Sequence, residues 1–102
     1  MDLNKAIRLV VDTGKVELGG DKARKIALLG GAKLIVLASN LPKGSSRDLE
    51  HYAKLSGIPV LEFGGTSLEL GTVCGKPFPV SALTIIEEGN SQILKAINKE
   101  KN

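Results

Sequence analysis

Aromatic residues and cysteine are scarce in this sequence. Of its 102 residues, two are phenylalanine, one is tyrosine and none is tryptophan. Aliphatic side chains must therefore fill the interior, and an exposed aromatic side chain would stand out. The single cysteine, Cys74, cannot form an internal disulfide bond, and its place just before Gly75 favours a small buried side chain.

Long apolar runs are also lacking. The longest one, from Ile26 to Ala38, is interrupted by Gly30, Gly31 and Lys33, which leaves far fewer than the about 20 apolar residues that a bilayer crossing requires. The N-terminal residues alternate charge with Leu and Val and carry no secretory signal. We therefore expect a cytoplasmic protein with no membrane association.

The length and the 42 % of apolar residues fit a single globular domain over residues 1–102. Positive charge is concentrated in one third of it. Residues 14–48 hold seven basic and three acidic side chains, whereas the other segments together have a net charge of −1. This asymmetry favours a polyanionic partner on one side, and the alternative is a lysine-rich face that is merely solvated.

Apolar spacing, capping residues and glycines predict five helices. The first runs from about Asp2 to Asp12, and the second is opened by Gly19 and Gly20 and closed by a left-handed Gly30. The third follows a polar loop from Pro42 to Ser46, contains Leu49, Tyr52, Ala53 and Leu55 and ends at Gly57. The fourth is opened by a capping box of Thr66 and Glu69 and stops at Gly75, and the last is capped by Ser91 with Leu94 and Ile97 facing inward.

Four strands are predicted between the helices. They are Val16–Gly19, Leu34–Ala38, Val60–Phe63 and Val80–Ile86, the last one preceded by a loop from Lys76 to Pro79. The unbroken apolar run of the second strand is typical of a central strand that is buried on both faces. The alternation predicts an α/β fold with four strands between layers of helices.

The motifs offer no catalytic constellation. Residues 71–76, G-T-V-C-G-K, look like a phosphate loop, but they have one residue too few between the glycines and Pro77 where a metal-binding hydroxyl should stand. The single histidine, His51, is read as a solvent-facing helical side chain, because a metal site needs more ligands. We expect no enzyme, no cofactor and no metal.

Three predicted junctions share a composition rich in glycine, proline and lysine: residues 18–22, 38–43 and 75–79. Glycines allow close approach of a ligand, Asn40 can pair with a base edge, and lysines can neutralise phosphates. Phe78 lies between two prolines, so it is either tucked into the core or exposed as a rigid platform for an unpaired base. Turn glycines, a strand-end asparagine and a packed phenylalanine are the structural alternatives.

Several segments also resemble a known family: T-G-K at 13–15, G-G-A-K-L-I-V-L-A-S-N at 30–40, E-H-Y-A-K-L-S-G-I-P-V at 50–60 and G-T-S-L-E-L-G-T-V-C-G-K at 65–76. Over nearly the whole chain they resemble the archaeal and eukaryotic large-subunit ribosomal protein thirty-e family, within the superfamily that binds kink-turn RNA. The short ends look archaeal. The resemblance implies a three-layer α-β-α sandwich with a four-stranded mixed sheet, in a structural constituent of the ribosome whose partners are rRNA and neighbouring ribosomal proteins and which is a monomer when free.

The resemblance further implies that the three junctions form the RNA surface. By position, Gly19 would pack against the kinked backbone, Asn40 would contact a base of the sheared pairs, and Phe78 with Val80 would hold the extruded nucleotide. The RNA-binding residues expected in all are Leu18, Gly19, Gly20, Lys22, Asn40, Lys43, Lys76, Phe78, Pro79 and Val80.

Two positions depart from the family pattern. Asp21 stands where the family often has a basic residue, so either Lys22 takes over that contact or the contact is lost, and Pro79 replaces what is often arginine. Two alternatives stay open: a related RNA-binding protein of a guide-RNA or RNA-processing particle, and a small α/β module that binds a nucleotide at the Gly19–Gly20 junction.

Overall fold

The computed structural model describes residues 3–41 and 43–94, and of Lys43 the backbone alone. Within these residues the helices and strands alternate along the chain. They are α1 (Leu3–Thr13), β1 (Lys15–Leu18), α2 (Gly20–Leu29), β2 (Leu34–Leu37), α3 (Lys43–Leu55), β3 (Val60–Glu62), α4 (Ser67–Val73) and β4 (Ala82–Glu87).

The four strands form one mixed sheet in the order β1-β4-β2-β3. Strand β4 is antiparallel to both β1 and β2, whereas β3 is parallel to β2. The first residues of β4 therefore lie beside the last residues of β1 and β2. This arrangement brings the segments that follow β1 and β2 and the segment that precedes β4 to one edge of the sheet.

Strand β2 separates two apolar cores, because successive side chains of a strand point to opposite faces. Leu34 and Val36 pack with α1 and α4 on one face, while Ile35 and Leu37 pack with α2 and α3 on the other. All four side chains are buried, at about 1.5 to 3 kcal/mol of stabilisation for each fully buried aliphatic side chain. The predicted α-β-α sandwich and its four-stranded mixed sheet are confirmed.

The order of the first eight predicted elements, from the first helix to the fourth strand, is also confirmed, and most boundaries shift by one or two residues. Most of the predicted last helix lies outside the described residues. The largest difference concerns Pro42–Ser46, predicted as a polar loop: α3 already begins at Lys43. Glycine and serine are tolerated there because the first N–H groups of a helix need no partner within it. Pro42 and the start of the first predicted helix at Asp2 lie outside the described residues.

Three local predictions are corrected. Gly30 ends α2 with φ +82° and ψ −177°, so it has a positive φ without the left-handed helical conformation. Thr66 caps α4 by accepting a hydrogen bond from the Glu69 N–H at 3.2 Å, but Glu69 contacts the Thr66 hydroxyl and not its N–H. Val80 precedes β4 as core-packed chain, since the strand begins only at Ala82.

The C-terminal end of the described chain packs under α1. Ser91 accepts a hydrogen bond from the Ile93 N–H at 3.2 Å and donates one to the Ala6 carbonyl at 2.9 Å. Ile93 is fully buried, whereas Leu94 is only half-buried, and Ile97 lies outside the described residues. In the part of the chain that is described, no helix combines the length and the apolar character that crossing a bilayer would take.

Candidate nucleic-acid interface

Three connecting segments meet at one edge of the sheet, here called the loop edge: residues 18–22 after β1, 38–41 after β2, and 75–81 before β4. Backbone hydrogen bonds join them directly. The Gly19 N–H donates to the Ala82 carbonyl at 2.8 Å, and the Ala38 N–H donates to the Ser81 carbonyl at 3.0 Å. The N-terminal end of β4 thus holds the other two segments side by side.

Gly19 gives the loop edge an open stretch of backbone. Its φ of +111° lies in a region that L residues rarely adopt, and no atom lies within 4 Å of the position that a β-carbon would take. Its carbonyl accepts from the Ala23 N–H at 3.1 Å at the start of α2. The glycine therefore serves backbone conformation and accessibility rather than packing.

Asn40 is exposed and tied to the first residue of α4. Its Oδ1 accepts from the Ser67 N–H at 2.9 Å, and its Nδ2 donates to the Ser67 hydroxyl at 3.2 Å. These two bonds fix the orientation of the amide group. One amide hydrogen and one oxygen lone pair have no such partner within the described residues, so they can face a ligand.

The segment that carries Phe78 is also anchored on α4. The Val80 N–H donates to the Ser67 carbonyl, and the Lys76 N–H donates to the Gly71 carbonyl, each at 2.9 Å. A β-carbon on Gly71 would overlap the Phe78 carbonyl, so the loop lies directly against the helix. The Phe78 side chain is 47 % exposed; of the two possibilities that its flanking prolines left open, the structure has the rigid exposed ring.

Two of the expected RNA-binding side chains point inward. Val80 is 1 % exposed, and Leu18 is half-buried against the same core as α1 and α4. Both side chains are apolar and flank strands of the sheet, which explains their burial. They support the adjacent loops from below, and the exposed apolar residues of this edge are Pro77, Phe78 and Pro79.

Charge at the loop edge is mixed. Lys22 forms an ion pair with Glu17 at 3.2 Å, with exposed side-chain fractions of 64 % and 38 %. Such an exposed pair contributes little to stability and can exchange for a phosphate contact. Lys76 is exposed without an ion pair in the described part of the chain, and the side chain of Lys43 lies outside it. Three helices, α2, α3 and α4, begin at this edge and direct their partially positive ends toward it.

Asp21 lies in a polar cleft between the first turns of α2 and α3. The lining consists of Gly20, Asp21, Arg24, Leu41, Ser45, Asp48, Leu49 and Ser81. Its two carboxylates outnumber the single guanidinium group. Asp21 therefore lowers the positive potential of this part of the loop edge.

The surroundings of Cys74 and His51 indicate neither a reactive thiol nor a metal site. Cys74 is 2 % exposed, and its burial raises the pKa of the thiol to about 11 against the opposing effect of Lys76 and Arg8, which keeps it protonated at neutral pH. His51 is exposed on α3. Within residues 3–41 and 43–94, no cluster of three or more His, Cys, Asp or Glu side chains could hold a metal ion.

Two residues of α4 that hold the loop edge together, Ser67 and Gly71, were not predicted from the sequence. Ser67 contacts two of the loops, through Asn40 and Val80, and Gly71 packs against the second of them at Phe78. Neither residue has a side chain that marks it as part of a binding site. A glycine inside a helical segment does indicate close packing, so Gly71 could have been identified. The bonds of Ser67 join residues 27 positions apart, and such long-range pairing leaves no local signal.

Comparisons with known proteins agree on the relationship of this chain. Residues 1–95 match the model of the Ribosomal protein L7Ae/L30e/S12e/Gadd45 family. The chain is 54 % identical to the large ribosomal subunit protein eL30 of Methanocaldococcus jannaschii, over 99 % of this chain and 92 % of that protein. It is 52 % identical to the eL30 of Methanothermobacter thermautotrophicus, over 95 % of this chain and 99 % of that one.

A solved structure of a protein with unknown function from Bacillus halodurans shares the fold, with a TM-score of 0.79 at 20 % identity over 96 % of this chain and 97 % of that one. The ribosomal relatives are structural and non-enzymatic proteins, which confirms the prediction that the chain is not an enzyme. The family match and the high identity to archaeal relatives confirm the resemblance seen in the sequence. The chain belongs to the Ribosomal protein L7Ae/L30e/S12e/Gadd45 family, with its close relatives among the archaeal eL30 proteins.

Proposed function

We propose that this protein is a structural component of the large subunit of the cytoplasmic ribosome and that its loop edge binds a kink-turn-like internal loop of rRNA. The ribosomal role follows from the eL30 relatives, which are named for the large subunit. The observation that carries the RNA-binding mode is the meeting of three loops at one edge. One loop carries an exposed aromatic ring, another a half-satisfied amide, and the third a glycine with open backbone.

Each part of the loop edge suits one part of a bent RNA. Phe78 can stack on an unpaired base, which is worth about 1 to 3 kcal/mol per base. Asn40 can contact a base edge with its remaining donor and acceptor, and the unhindered backbone at Gly19 allows a phosphate-sugar chain to approach closely. A straight duplex offers no splayed base and no kinked backbone, so it would lose these contacts.

The electrostatics favour polynucleotide over a small nucleotide. The cleft beside Gly20 contains Asp21 and Asp48 against one arginine, which disfavours a concentrated phosphate charge at that point. The partially positive helix ends and the lysines are spread along the edge instead. In this proposal the chain acts as one RNA-binding domain, a monomer when free, and it contacts neighbouring ribosomal proteins once assembled.

A gel-shift series tests the RNA-binding mode. The probes are a kink-turn hairpin and a straight duplex of equal length and charge, titrated between 50 and 200 mM salt. We expect the hairpin to bind more tightly, with an affinity that falls steeply with salt because lysines displace counterions from phosphates. Equal affinity for the two probes would refute the kink-turn assignment, and a flat salt profile would favour a nucleotide pocket.

The variant Asn40→Asp tests whether Asn40 contacts the RNA. An aspartate keeps the oxygen that accepts from the Ser67 N–H at the start of α4, so the fold should be retained. It loses the amide donor and adds a negative charge near the RNA. We expect an at least tenfold loss of hairpin affinity with little change in melting temperature. Asn90→Asp is the matched control, because Asn90 is exposed at the opposite edge of the sheet.

Assembly can be tested separately. Tagged protein in an archaeal lysate should sediment with large ribosomal subunits in a sucrose gradient and release on dissociation of the subunit. Sedimentation with small ribonucleoprotein particles instead would favour the guide-RNA or RNA-processing alternative. Light scattering of the purified chain should give the mass of a monomer.

A further inference from the structure

A groove runs beside the loop edge, along the flank of the sheet where α2 crosses β1. It is lined by Lys15, Glu17, Lys22, Lys25, Ile26 and Ile86. Strand β1 is an edge strand of the sheet in the described part of the chain, so a ligand can reach the groove from the side. We call this surface the β1 flank.

The β1 flank is positively charged, with three lysines against one carboxylate. Glu17 is already paired with Lys22 at 3.2 Å, while Lys15 and Lys25 are exposed and form no ion pair within the described residues. Glu87 is opposite Lys15 in the β1–β4 register, but it does not line the groove. Half-buried Ile26 and Ile86 form a floor of low polarity, which strengthens the field of the lysines above it.

The other edge strand of the sheet, β3, provides the contrast. The groove beside β3 is lined by Glu50, Lys54, Ile58, Pro59, Val60 and Glu62. Two carboxylates there face one lysine, so the excess charge has the opposite sign. The excess of lysine is thus a property of the β1 flank and not of every groove on the surface, which argues against a uniformly solvated basic protein.

The β1 flank continues the loop edge without a break. Lys22 lies in the first turn of α2 and belongs to both surfaces, and Lys25 is one turn further along the same helix. At 1.5 Å per residue, this places it about 4.5 Å beyond Lys22 along the helix axis. A duplex stem that leaves the internal loop toward β1 would therefore bring its phosphates over the groove.

We infer that the β1 flank, through Lys15 and Lys25, binds the phosphate backbone of the RNA stem adjoining the internal loop. This inference rests on the proposed function and adds a second contact surface to it. An acidic protein segment would satisfy the same charges, but the continuity with the loop edge favours RNA. The contact is not base-specific, because the groove holds ammonium groups and aliphatic side chains alone beside Glu17.

Three RNAs test the inference: a kink-turn hairpin with minimal stems, and two longer hairpins in which one or the other stem is lengthened by about one helical turn. One of the two longer hairpins should bind more tightly than the minimal one. For that RNA the double variant Lys15→Gln and Lys25→Gln should lower the magnitude of the slope of log affinity against log salt by about 1.4 to 1.8, at 0.7 to 0.9 for each lost phosphate contact. The slope for the minimal hairpin should not change.

Lys54→Gln is the control on the opposite groove and should leave both slopes unchanged. Unchanged slopes in the double variant, or equal losses on both hairpins, would overturn the inference while leaving the proposed function intact. Failure of the wild-type chain to bind either hairpin would instead overturn the proposed function. Polyglutamate of equal charge should compete poorly with the long hairpin, and equal competition would assign the flank to an acidic protein.

Discussion

Short connections at the two ends of the strands are built from similar residues and pack differently. At the end opposite the loop edge lie the turn at Gly14 and the turn at residues 88–90, which we together call the turn edge. Both the loop edge and the turn edge use glycine and asparagine. The two turns of the turn edge pack against each other, whereas the loop edge leaves several groups accessible.

The turn edge is closed by backbone contacts. A β-carbon on Gly14 would overlap the Glu87 carbonyl oxygen, and a β-carbon on Gly89 would meet the backbone of Thr13. The Asn90 N–H donates to the Thr13 hydroxyl at 3.0 Å. Lysine is also paired there, because Lys33 contacts Glu88 at 3.0 Å.

At the loop edge, by contrast, Gly19 and Phe78 stay open. Gly19 has no neighbour within 4 Å of its missing β-carbon, and Phe78 keeps 47 % of its surface exposed. The comparison teaches that glycine in a short connection has two separate uses, close packing and access. Sequence composition alone does not distinguish them, and the contacts around the missing side chain do.

The largest effect is expected from Gly14→Ala. The new methyl group has no room against the carbonyl oxygen of Glu87, and the backbone there is fixed by the β1–β4 pairing. We expect the free energy of unfolding to fall by about 3 kcal/mol, the upper part of the range for overpacking, with a melting temperature lower by about 10 °C or more. Thermal denaturation followed by circular dichroism measures both.

Gly44→Ala is the control for that substitution. Gly44 lies inside α3 with no atom within 4 Å of its missing β-carbon. Alanine is favoured over glycine in helices by about 0.5 to 1 kcal/mol, so the melting temperature should stay equal or rise slightly. A Gly14→Ala protein as stable as wild type would show that the turn edge is not closed by packing.

Phe78→Ala should separate binding from folding at the loop edge. Loss of a stacking platform is expected to weaken kink-turn binding by about 1 to 3 kcal/mol, while the melting temperature changes little because the ring is half in solvent. Isothermal titration calorimetry and thermal denaturation give the two values. Leu29→Ala, at a side chain that is 81 % exposed, should change neither, and a large loss of stability in Phe78→Ala would instead assign the ring to the core.

The smallest effect is expected from Lys33→Gln at the turn edge. The pKa of the Glu88 carboxyl lies below its ordinary value. The main cause is the hydrogen bond that Lys33 donates to it, and the next is a backbone hydrogen bond of Glu88 itself. A depressed pKa in the folded state contributes stability that is present above the ordinary pKa and is lost as the pH falls through the folded one. The substitution should therefore raise the pKa of Glu88 part of the way back and slightly flatten the acid limb of the stability curve.

Carbon-13 NMR of the Glu88 carboxyl group reports that pKa directly. Lys54→Gln serves as the reference, because Lys54 lines the groove beside β3 and should leave the titration of Glu88 unchanged. If both variants shift Glu88 equally, general charge rather than the Lys33 contact determines the pKa.

Local patterns in the sequence were enough to predict the elements of the fold. The apolar run of β2, the cap at Thr66 and the glycine after α3 each depend on residues within one or two turns, and each was found. The start of α3 was missed because glycine and serine at residues 44–46 are typical of loops, while the first turn of a helix tolerates them. Strand order could not be predicted, since it depends on pairing between distant segments.

The three loops of the candidate site were predicted from the sequence, but the residues that hold them in place were not. The three loops were identified by composition and by the family resemblance, and the structure brings them to one edge. The sequence did not predict that the Val80 side chain is buried in the core or that Lys22 forms an ion pair with Glu17. The burial of Val80 depends on contacts with α1 and α4, which are distant in the sequence, and the pair of Lys22 with Glu17 depends on how α2 turns back beside β1.

Ser67 connects the part of the loop edge that carries Asn40 with the part that carries Phe78. Its N–H and hydroxyl hold Asn40, and its carbonyl holds the chain after Phe78. If the loop edge binds RNA as proposed, a shift of the Phe78 loop on binding would also move the amide of Asn40 through Ser67. The effects of Phe78 and Asn40 substitutions on RNA affinity should therefore not add.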